Sequence, residues 1–440
     1  MGKLKVIYKI SVFAICIFFT VTTLASDWPR FLGPDRNSTS PETGIFRSWP
    51  DTGPELLWTV PVGKGYGGAA VKDGKVYLLD RDDSTGDILR SFDLETGEEL
   101  WSFEYDAPGT YSFPGSRAVP TVDGDHVYIC GPFGHLHCID IETQEPVWKR
   151  NIWTEFGGED LPMWAITQSP LIYGDLLIIA PQAPEAGVAA FNKLTGEMVW
   201  NTPSLGNVGY VSPSLAKIDG EDHVVMVTAS ARRGEERGNV VGMDPLNGTI
   251  LWKYDQWRCD IPVPCAYDVG DNKILVIGGY ELGATMLQVE KQADGNFAVK
   301  ELFVTVEFGD QTKPPIMHNG YFYAQYGTNN RRDGLVCMNM DGEVMWRTRR
   351  NPDFNKGSMI LVDGLIIATD GANGLYLIEP SPEGYKPIAT AELLKLGGVD
   401  ESNPMTSFGG STQNWAPIAL SQGRLLVRDQ NQMYCIKVGE

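Results

Sequence analysis

The sequence is poor in basic residues and has no second long hydrophobic run. Its 440 residues include 36 Lys and Arg against 56 Asp and Glu, which gives a net charge of −20. Because an acidic surface repels phosphate groups, this balance excludes a general nucleic-acid binder. After residue 25 no stretch is apolar and long enough to cross a bilayer, so we expect no integral membrane span in the mature chain.

Signature motifs of common enzymes are also missing. The chain has no P-loop, no Gly-x-Ser-x-Gly, no His-Glu-x-x-His and no Cys-x-x-Cys. Apolar residues show no 3.6-residue period, which excludes stacked pairs of helices. What the chain has instead is 49 Gly, 28 Pro and 12 Trp. Frequent turn residues between short apolar runs indicate many strands joined by tight turns.

Residues 1–25 have the form of a secretory signal peptide. A lysine-containing start precedes an apolar run over residues 10–25, which ends on small residues before the polar chain begins. We therefore expect cleavage after residue 25 and a periplasmic or secreted protein. An uncleaved anchor is the alternative, whereas lipid attachment at Cys16 is disfavoured because the preceding residue is not small.

A unit of about 50 residues recurs along the rest of the chain. Each unit contains four short apolar runs, with an Asp-Gly-like turn between the first two and a Thr-Gly-Glu-like turn before the fourth. A tryptophan recurs in the fourth run at gaps of 43, 47, 52 and 52 residues and then at a double gap that Phe303 divides. Four-stranded antiparallel units in series predict propeller blades. The recurring tryptophans are Trp58, Trp101, Trp148, Trp200, Trp252 and Trp346.

The number of units predicts how the ring closes. Groups of three strands occur eight times, and the last of them, residues 415–438, has no fourth strand after it. Residues 56–60 resemble a fourth strand with no blade before it. We therefore predict an all-β, eight-bladed propeller over residues 56–440, in which this N-terminal strand completes the last blade.

A segment rich in Pro and Gly connects the signal peptide to the ring. It covers residues 26–55 and contains Trp28, Phe31 and Trp49. Three large aromatic side chains are unfavourable on a solvated tail. We therefore predict an arm that lies on the propeller through these three residues.

The blade sequence resembles the pyrroloquinoline-quinone (PQQ) type of propeller repeat. The pattern is clearest from Asp73-Gly74-Lys75-Val76-Tyr77 to the Thr96–Trp101 segment, and it extends over nearly the whole mature chain. The family includes quinoprotein alcohol dehydrogenases and outer-membrane assembly propellers of the BamB type. The resemblance implies the fold rather than an activity, because the motif residues build blades and not sites.

Two functions are consistent with the resemblance. One is a monomeric, non-enzymatic binding or scaffold protein that takes a protein, a carbohydrate or a small anionic ligand. The other is a dehydrogenase that uses PQQ and Ca²⁺, for which Trp164 and Arg117 are candidates to contact the quinone. The family's dehydrogenases carry two adjacent cysteines beside the quinone, and this chain has no such pair. We therefore favour the binding protein.

The cysteines of the mature chain divide into two groups. Cys138, Cys337 and Cys435 fall at one position of the third strand, which takes small residues in the other blades. We interpret them as buried packing residues. Cys259 and Cys265 lie close together in one loop, where an oxidising compartment permits a disulfide. Both the disulfide and two free thiols remain open for this pair.

Two histidines on one strand are a candidate for the start of a metal site. His135 and His137 point to the same side of a strand, and imidazoles in this arrangement can bind zinc. No third ligand is recognisable in the sequence. We therefore prefer a packing role and predict no metal.

The loops predict which face of the propeller binds. Loops between the second and third strands and between blades share one face, and they are longer and less regular than the turns of the other face. Variable loops on a rigid scaffold commonly carry function, and Arg beside aromatic rings suits an anion, a carbohydrate or a peptide. The alternative is that these cations are solvated charges paired with Asp and Glu. The candidate ligand-binding residues are Tyr66, Arg117, Trp164, Gln168, Tyr210, Arg232, Arg332, Lys356, Trp415 and Arg428.

Overall fold

Eight sheets, each built on four antiparallel strands, form the described structure, and one of them gains a fifth, parallel strand from the segment before the first complete blade. A computed structural model of the protein describes residues 26–231, 235–327, 332–394 and 413–440. These ranges contain 33 strands and a single 3₁₀ turn, Thr154–Phe156. The predicted fold class, an eight-bladed β-propeller, is confirmed. The predicted signal segment lies outside the described residues.

Each blade runs from an inner strand beside the central channel to an outer strand at the rim. Two strands precede the first complete blade, β1 (Thr39–Ser40) and β2 (Glu55–Pro61). Blades 1 to 4 take four strands each in order from β3 (Ala70–Lys72), β4 (Lys75–Asp82), β5 (Gly86–Asp93), β6 (Glu99–Asp106), β7 (Thr121–Asp123), β8 (His126–Cys130), β9 (His135–Asp140), β10 (Pro146–Asn151), β11 (Leu171–Tyr173), β12 (Leu176–Ile179), β13 (Ala189–Asn192), β14 (Met198–Asn201), β15 (Ser214–Ile218), β16 (Glu221–Val227), β17 (Gly238–Met243) and β18 (Ile250–Trp257). Blades 5 to 8 continue with β19 (Tyr267–Gly270), β20 (Lys273–Gly278), β21 (Gly283–Lys291), β22 (Phe297–Thr305), β23 (Ile316–His318), β24 (Tyr321–Gly327), β25 (Arg332–Asn339), β26 (Val344–Arg347), β27 (Met359–Val362), β28 (Leu365–Thr369), β29 (Gly374–Glu379), β30 (Lys386–Glu392), β31 (Ala419–Ser421), β32 (Arg424–Arg428) and β33 (Gln432–Lys437).

The two ends of the propeller meet in blade 8. Strand β2 pairs antiparallel with β33, so that Trp58 lies opposite Cys435 and Glu55 lies opposite Lys437. The N-terminal strand thus supplies the outer strand of the last blade. Because the seam is a continuous ladder of backbone hydrogen bonds, it leaves no unpaired sheet edge between the termini.

A cross-strand row of side chains explains the cysteines of the third strand. In these rows a small residue sits between a tyrosine of the second strand and a tryptophan of the fourth. Cys138 and Cys337 occupy this position without any exposed surface, as their predicted packing role requires. The rows are Tyr77–Ser91–Trp101, Tyr128–Cys138–Trp148 and Tyr323–Cys337–Trp346.

The outer-strand tryptophans join neighbouring blades. Whereas the Trp252 Nε1 donates to His223 Nδ1 of its own blade at 2.9 Å, the indole Nε1 of four others donates a hydrogen bond to a backbone carbonyl in the turn of the next blade. This contact combines apolar burial with a satisfied N–H group, so the predicted docking role is confirmed for these residues. The pairs are Trp58 with Leu94 at 3.0 Å, Trp148 with Lys193 at 2.9 Å, Trp200 with Pro245 at 3.2 Å and Trp346 with Ser381 at 2.8 Å.

The segment before β2 enters the central channel at the end that carries the first turn of each blade. Trp28 exchanges two backbone hydrogen bonds with Val71, of 3.0 and 2.8 Å. Strand β1 adds in parallel to the inner edge of β27. Trp28 and Ile45 are 2% and 4% exposed. This segment, which we call the arm, therefore fills one end of the channel.

Carboxylates fasten the arm to the turns around it. Glu42 accepts hydrogen bonds from the backbone N–H groups of Gln422 and Gly423, at 2.6 and 2.9 Å. Asp363 forms an ion pair with Arg47 at 2.9 Å. The arm thus ties blades 7 and 8 to the channel and leaves the opposite end for a ligand. No helix in the described residues is long and apolar enough to span a membrane.

Candidate functional site

One repeated position brings distant residues together at the open end of the channel. The residues three and four positions before the inner strand of each blade approach the channel axis where the loops begin. Because the blades repeat around one axis, side chains about 350 residues apart in sequence become neighbours. Six residues at these positions and Gln413, which contacts them from an irregular connection, form a group that we call the funnel. Its members are Tyr66, Arg117, Tyr210, Lys313, Lys356, Gln413 and Trp415.

Stacked aromatic rings form one wall of the funnel. The rings of Tyr66 and Trp415 lie 5.6 Å apart at 27°, and the Phe113 ring is 6.1 Å from the first and 6.2 Å from the second. The Tyr66 hydroxyl donates to Gln413 Oε1 at 3.0 Å. The wall therefore presents an apolar face beside a fixed amide.

Glycines allow Tyr66 to reach this position. A Cβ on Gly67 would lie 2.4 Å from the Ala118 carbonyl oxygen, and one on Gly68 would lie 2.2 Å from the carbonyl oxygen of Pro417. These distances are too short for any side chain, so only glycine permits the close approach of blades 8, 1 and 2 here. The aromatic wall thus depends on the Gly-Tyr-Gly-Gly sequence before β3.

Arg117 supplies the first cation of the funnel. Its guanidinium carbon lies 5.5 Å from the centre of the Tyr66 ring and 5.0 Å from that of Tyr111, within range for cation–π contact. It donates to the backbone carbonyls of Ser112 and Phe113, while its Nε is buried without a partner. Burial lowers the pKa of Arg117. No described carboxylate forms an ion pair with it.

Lys356 and Lys313 supply the other cations. The Lys356 Nζ lies 4.6 Å above the Trp415 ring, and burial lowers the pKa of Lys356 to about 8, with Arg332 acting in the same direction. The Lys313 Nζ donates to the Trp415 carbonyl at 2.6 Å, and burial also lowers the pKa of Lys313 to about 8. Burial raises the pKa of Asp310 to about 6. Within the described ranges, neither lysine forms an ion pair.

The structure brings most of the predicted aromatic and cationic residues together. Tyr66, Arg117, Lys356 and Trp415 are in direct contact, as described above. The rings of Trp164 and Tyr210 lie 5.0 Å apart. Tyr210 is close enough to Arg117 to raise the pKa of its guanidinium against the effect of burial. These residues thus extend the aromatic wall on the side of blades 3 and 4.

Three other predicted residues are not open to a ligand at the funnel, and a further one, Arg232, lies outside the described residues. Arg332 pairs with Asp353 at 2.8 Å, which corresponds to the alternative of paired loop charges. Arg428 is 3% exposed and donates to the Gly63 carbonyl, so it holds the seam between blades 8 and 1. Gln168 is buried and accepts a hydrogen bond from a neighbouring backbone N–H.

Sequence reasoning missed three residues of the funnel surroundings. Lys313, Gln413 and Tyr111 contact the predicted residues but were not among them. Lys313 could have been found, because it stands three positions before its inner strand just as Lys356 does. Gln413 and Tyr111 lie in irregular connections and have no repeating position.

Cys259 and Cys265 are both buried and unbridged, so the disulfide is not formed. Cys259 packs against Gly278 on β20, whereas Cys265 lies beside Leu32 of the arm. Burial raises the pKa of each thiol to about 12. Each cysteine thus serves as a small apolar packing residue in its own surroundings.

His135 and His137 pack against aromatic rings. The His137 ring lies 4.3 Å from that of Tyr105 and 5.7 Å from that of Phe103. Burial lowers the pKa of His137 to about 4. In the part of the chain that the structure describes, no group of three His, Cys, Asp or Glu side chains could hold a metal ion. The arrangement fits a packing role.

The funnel does not fit the Ca²⁺ of a quinoprotein. Calcium takes six to eight oxygen ligands, with carboxylates prominent among them. The cations Arg117, Lys313 and Lys356 at the funnel would repel a divalent cation. Asp310 is the carboxylate that acts on the two lysines, and its oxygens already accept backbone N–H bonds from Thr312, Lys313 and Gln325. Among the described residues the donor set for this ion is therefore lacking.

Comparisons with known proteins agree with this fold. A family profile described as outer membrane protein assembly factor BamB matches residues 84–259. The protein of that name from Burkholderia pseudomallei (strain K96243) is 24% identical over 276 residues, which cover 59% of this chain and 63% of that protein, less than two thirds of its length.

Two solved structures share the architecture. BamB from Moraxella catarrhalis has a TM-score of 0.55 and 14% identity, with 87% of this chain and 96% of that chain covered. A europium-containing methanol dehydrogenase has a TM-score of 0.64 and 13% identity, with 91% and 89% covered. The predicted resemblance to PQQ-type propellers is thus confirmed, and at these identities the structural likeness concerns the fold alone.

Proposed function

We propose that this protein is an extracytoplasmic, non-enzymatic PQQ-like propeller, and that it binds its partner through an anionic group that enters the funnel. One observation carries the proposal. Arg117 lies over the Tyr66 ring and Lys356 over the Trp415 ring stacked on it, and neither cation forms an ion pair with a described carboxylate. Buried charge without a counter-ion is unfavourable, so an incoming anion relieves a cost that already exists in the free protein.

The shape and chemistry of the funnel favour an organic anion over a simple one. The stacked rings of Tyr66 and Trp415 offer an apolar face directly beside the two cations. A small aromatic acid, an acidic carbohydrate or an acidic side chain of a protein could place its apolar part on these rings. The similarity to a protein named as an assembly factor supports a protein partner, and the predicted signal peptide supports a location outside the cytoplasm.

Calorimetric titration with benzene-1,3,5-tricarboxylate tests the proposal. We expect saturable binding to the wild type, and affinity reduced about tenfold or more in Arg117→Gln and Lys356→Gln. Arg47→Gln is the matched control, because Arg47 pairs with Asp363 at the arm end of the channel and should leave the affinity unchanged. Equal binding of the neutral trimethyl ester would show that charge plays no part, and equal affinity in all variants would refute the role of the funnel.

The quinoprotein alternative is favoured by the aromatic wall beside a guanidinium, which suits a planar, negatively charged quinone. It is disfavoured by the lack of Ca²⁺ ligands among the described residues. Incubation with PQQ and Ca²⁺, an absorbance scan and a dye-reduction assay with primary alcohols separate the two functions. Saturable Ca²⁺-dependent quinone binding with dye reduction would establish the enzyme. We expect no turnover.

A further inference from the structure

A second cationic cavity lies deeper in the channel, between the arm and blades 3 to 5. Its volume is about 20 Å³. Its polar side chains are those of arginine and serine, and no acidic side chain is present among its described lining. The lining residues are Arg30, Phe31, Leu32, Arg36, Ser169, Pro170, Leu171, Ser212, Pro213, Ser214 and Cys265.

Several hydrogen-bond donors of the cavity have no acceptor. The Nε of Arg30 is buried without a partner, and so is the hydroxyl of Ser214, a residue that is 8% exposed. Arg36 directs one Nη2 bond of 2.8 Å to the Ile172 carbonyl. Neither arginine forms an ion pair with a carboxylate in the described residues. Buried donors without acceptors are rare in folded proteins and indicate a missing partner.

The two remaining serines are also donors toward the cavity. Ser169 Oγ accepts a bond of 3.0 Å from the Val119 N–H, and Ser212 Oγ accepts one of 2.9 Å from the Ser169 N–H. Each hydroxyl still has one proton to donate. The Arg30 Nε and the three serine hydroxyls can therefore all donate to one acceptor in the cavity.

The charges around the cavity also favour an anion. Burial lowers the pKa of Arg36 to about 10, and the positive charge of Arg30 acts in the same direction. The carboxylates of Asp123 and Asp35 oppose this shift. The Asp123 carboxylate is engaged by Lys193 at 2.7 Å. The cavity thus retains an excess of positive charge.

We propose that this cavity binds one halide-sized anion, which links Arg30 and Arg36 of the arm to the serines of blades 3 and 4. A cavity needs about 10–15 Å³ to hold one water molecule, so the observed volume suits one species of that size and excludes a sulfate or a larger organic acid. Chloride is the anion of this size in the surroundings of an extracytoplasmic protein. The site is separate from the funnel and does not depend on the function proposed for it.

Bromide diffraction tests the site directly. Crystals of the full chain grown without halide are soaked in sodium bromide, and data are collected at the bromine absorption edge. We expect an anomalous peak between the guanidinium groups of Arg30 and Arg36 at halide concentrations near those outside cells. The lack of a peak at this position under saturating bromide would overturn the proposal.

Thermal unfolding provides an independent measurement. We compare Tm in sodium chloride and sodium gluconate at equal ionic strength, and expect chloride to raise the wild-type Tm by about 1–3 °C. Arg30→Gln should lose this difference. Arg47→Gln is the matched control, because Arg47 lies on the same arm but pairs with Asp363. It should keep the difference.

The same chloride response in Arg30→Gln and in the wild type would also overturn the proposal. If Arg30→Gln does not fold, the bromide peak in wild-type crystals still tests the anion site, because that measurement requires no variant.

Discussion

The two ends of the channel use charge in opposite ways. At the arm end, Glu42 accepts two backbone N–H groups, Asp27 pairs with Lys72 at 2.8 Å, and Asp363 pairs with Arg47. At the funnel end, Arg117 and Lys356 face aromatic rings and have no described carboxylate partner. The comparison indicates that one end holds the ring together and that the other is prepared for a ligand.

The regularity of the connections explains this difference. The first turn of each blade is short, and turns such as Asp73-Gly74 leave backbone N–H groups that a carboxylate of the arm can bind. The connections between blades vary in length and sequence, so their side chains do not meet a regular set of partners. The following predictions separate a structural end from a binding end.

Trp28→Ala should produce the largest loss of stability. The Trp28 side chain is 2% exposed and lies in the core beside blades 1, 7 and 8, so its removal leaves a cavity. We expect a loss of about 3–5 kcal/mol in the free energy of unfolding, measured with urea. Trp164→Ala removes the same side chain from the half-buried funnel wall, and should cost about 1 kcal/mol. Equal losses in the two variants would contradict the division between the two ends.

Gly33→Ala should destabilise the arm by a smaller amount. Gly33 has a φ of 81°, and a Cβ at this position would lie 2.8 Å from the Trp28 ring. We expect a loss of about 2–3 kcal/mol, of which about 1–2 kcal/mol is the backbone cost of a left-handed conformation.

Gly74→Ala is the control for this variant. Gly74 has a similar φ of 72° but no atom within 4 Å of a Cβ. It should show only the backbone cost in the same urea measurement. If the two alanine variants lose the same stability, the packing of the arm on Trp28 contributes nothing.

Lys356→Met should raise stability, in contrast to the variants of the arm. Burial lowers the pKa of Lys356 in the folded protein from the usual 10.5 to about 8, so the unfolded chain binds the proton more tightly. Stability is therefore lowest below about pH 8 and increases as the pH rises toward the unfolded value. Methionine keeps the contact with Trp415 without the charge, and we expect a gain of about 1–2 kcal/mol near neutral pH.

The pH dependence identifies the cause of that gain. The stability of Lys356→Met should increase less between about pH 8 and 10 than that of the wild type, because one depressed lysine pKa has been removed. Lys217→Met, at an exposed lysine paired with Asp222 at 2.8 Å, should bring no gain. If Lys356→Met is less stable than the wild type near neutral pH, burial of the Lys356 ammonium does not destabilise the folded protein.

The sequence by itself determined the propeller, its number of blades and its closure. These features depend on local and repeated chemistry: Asp-Gly turns, short strands, and tryptophans that each need the next blade to bury the ring and bond the indole N–H. Because every unit carries the same signals, one divergent unit, such as that of Phe303, does not obscure the count.

Only the tertiary structure decided the path of the arm and which loop residues form the funnel. Lys356 and Arg332 look alike in sequence, but only the second forms an ion pair with a described carboxylate, Asp353. Arg428 is a loop-face cation in sequence and a buried seam residue in the structure. Whether a charge is paired, buried or available depends on residues from other blades, and a local repeat carries no information about them.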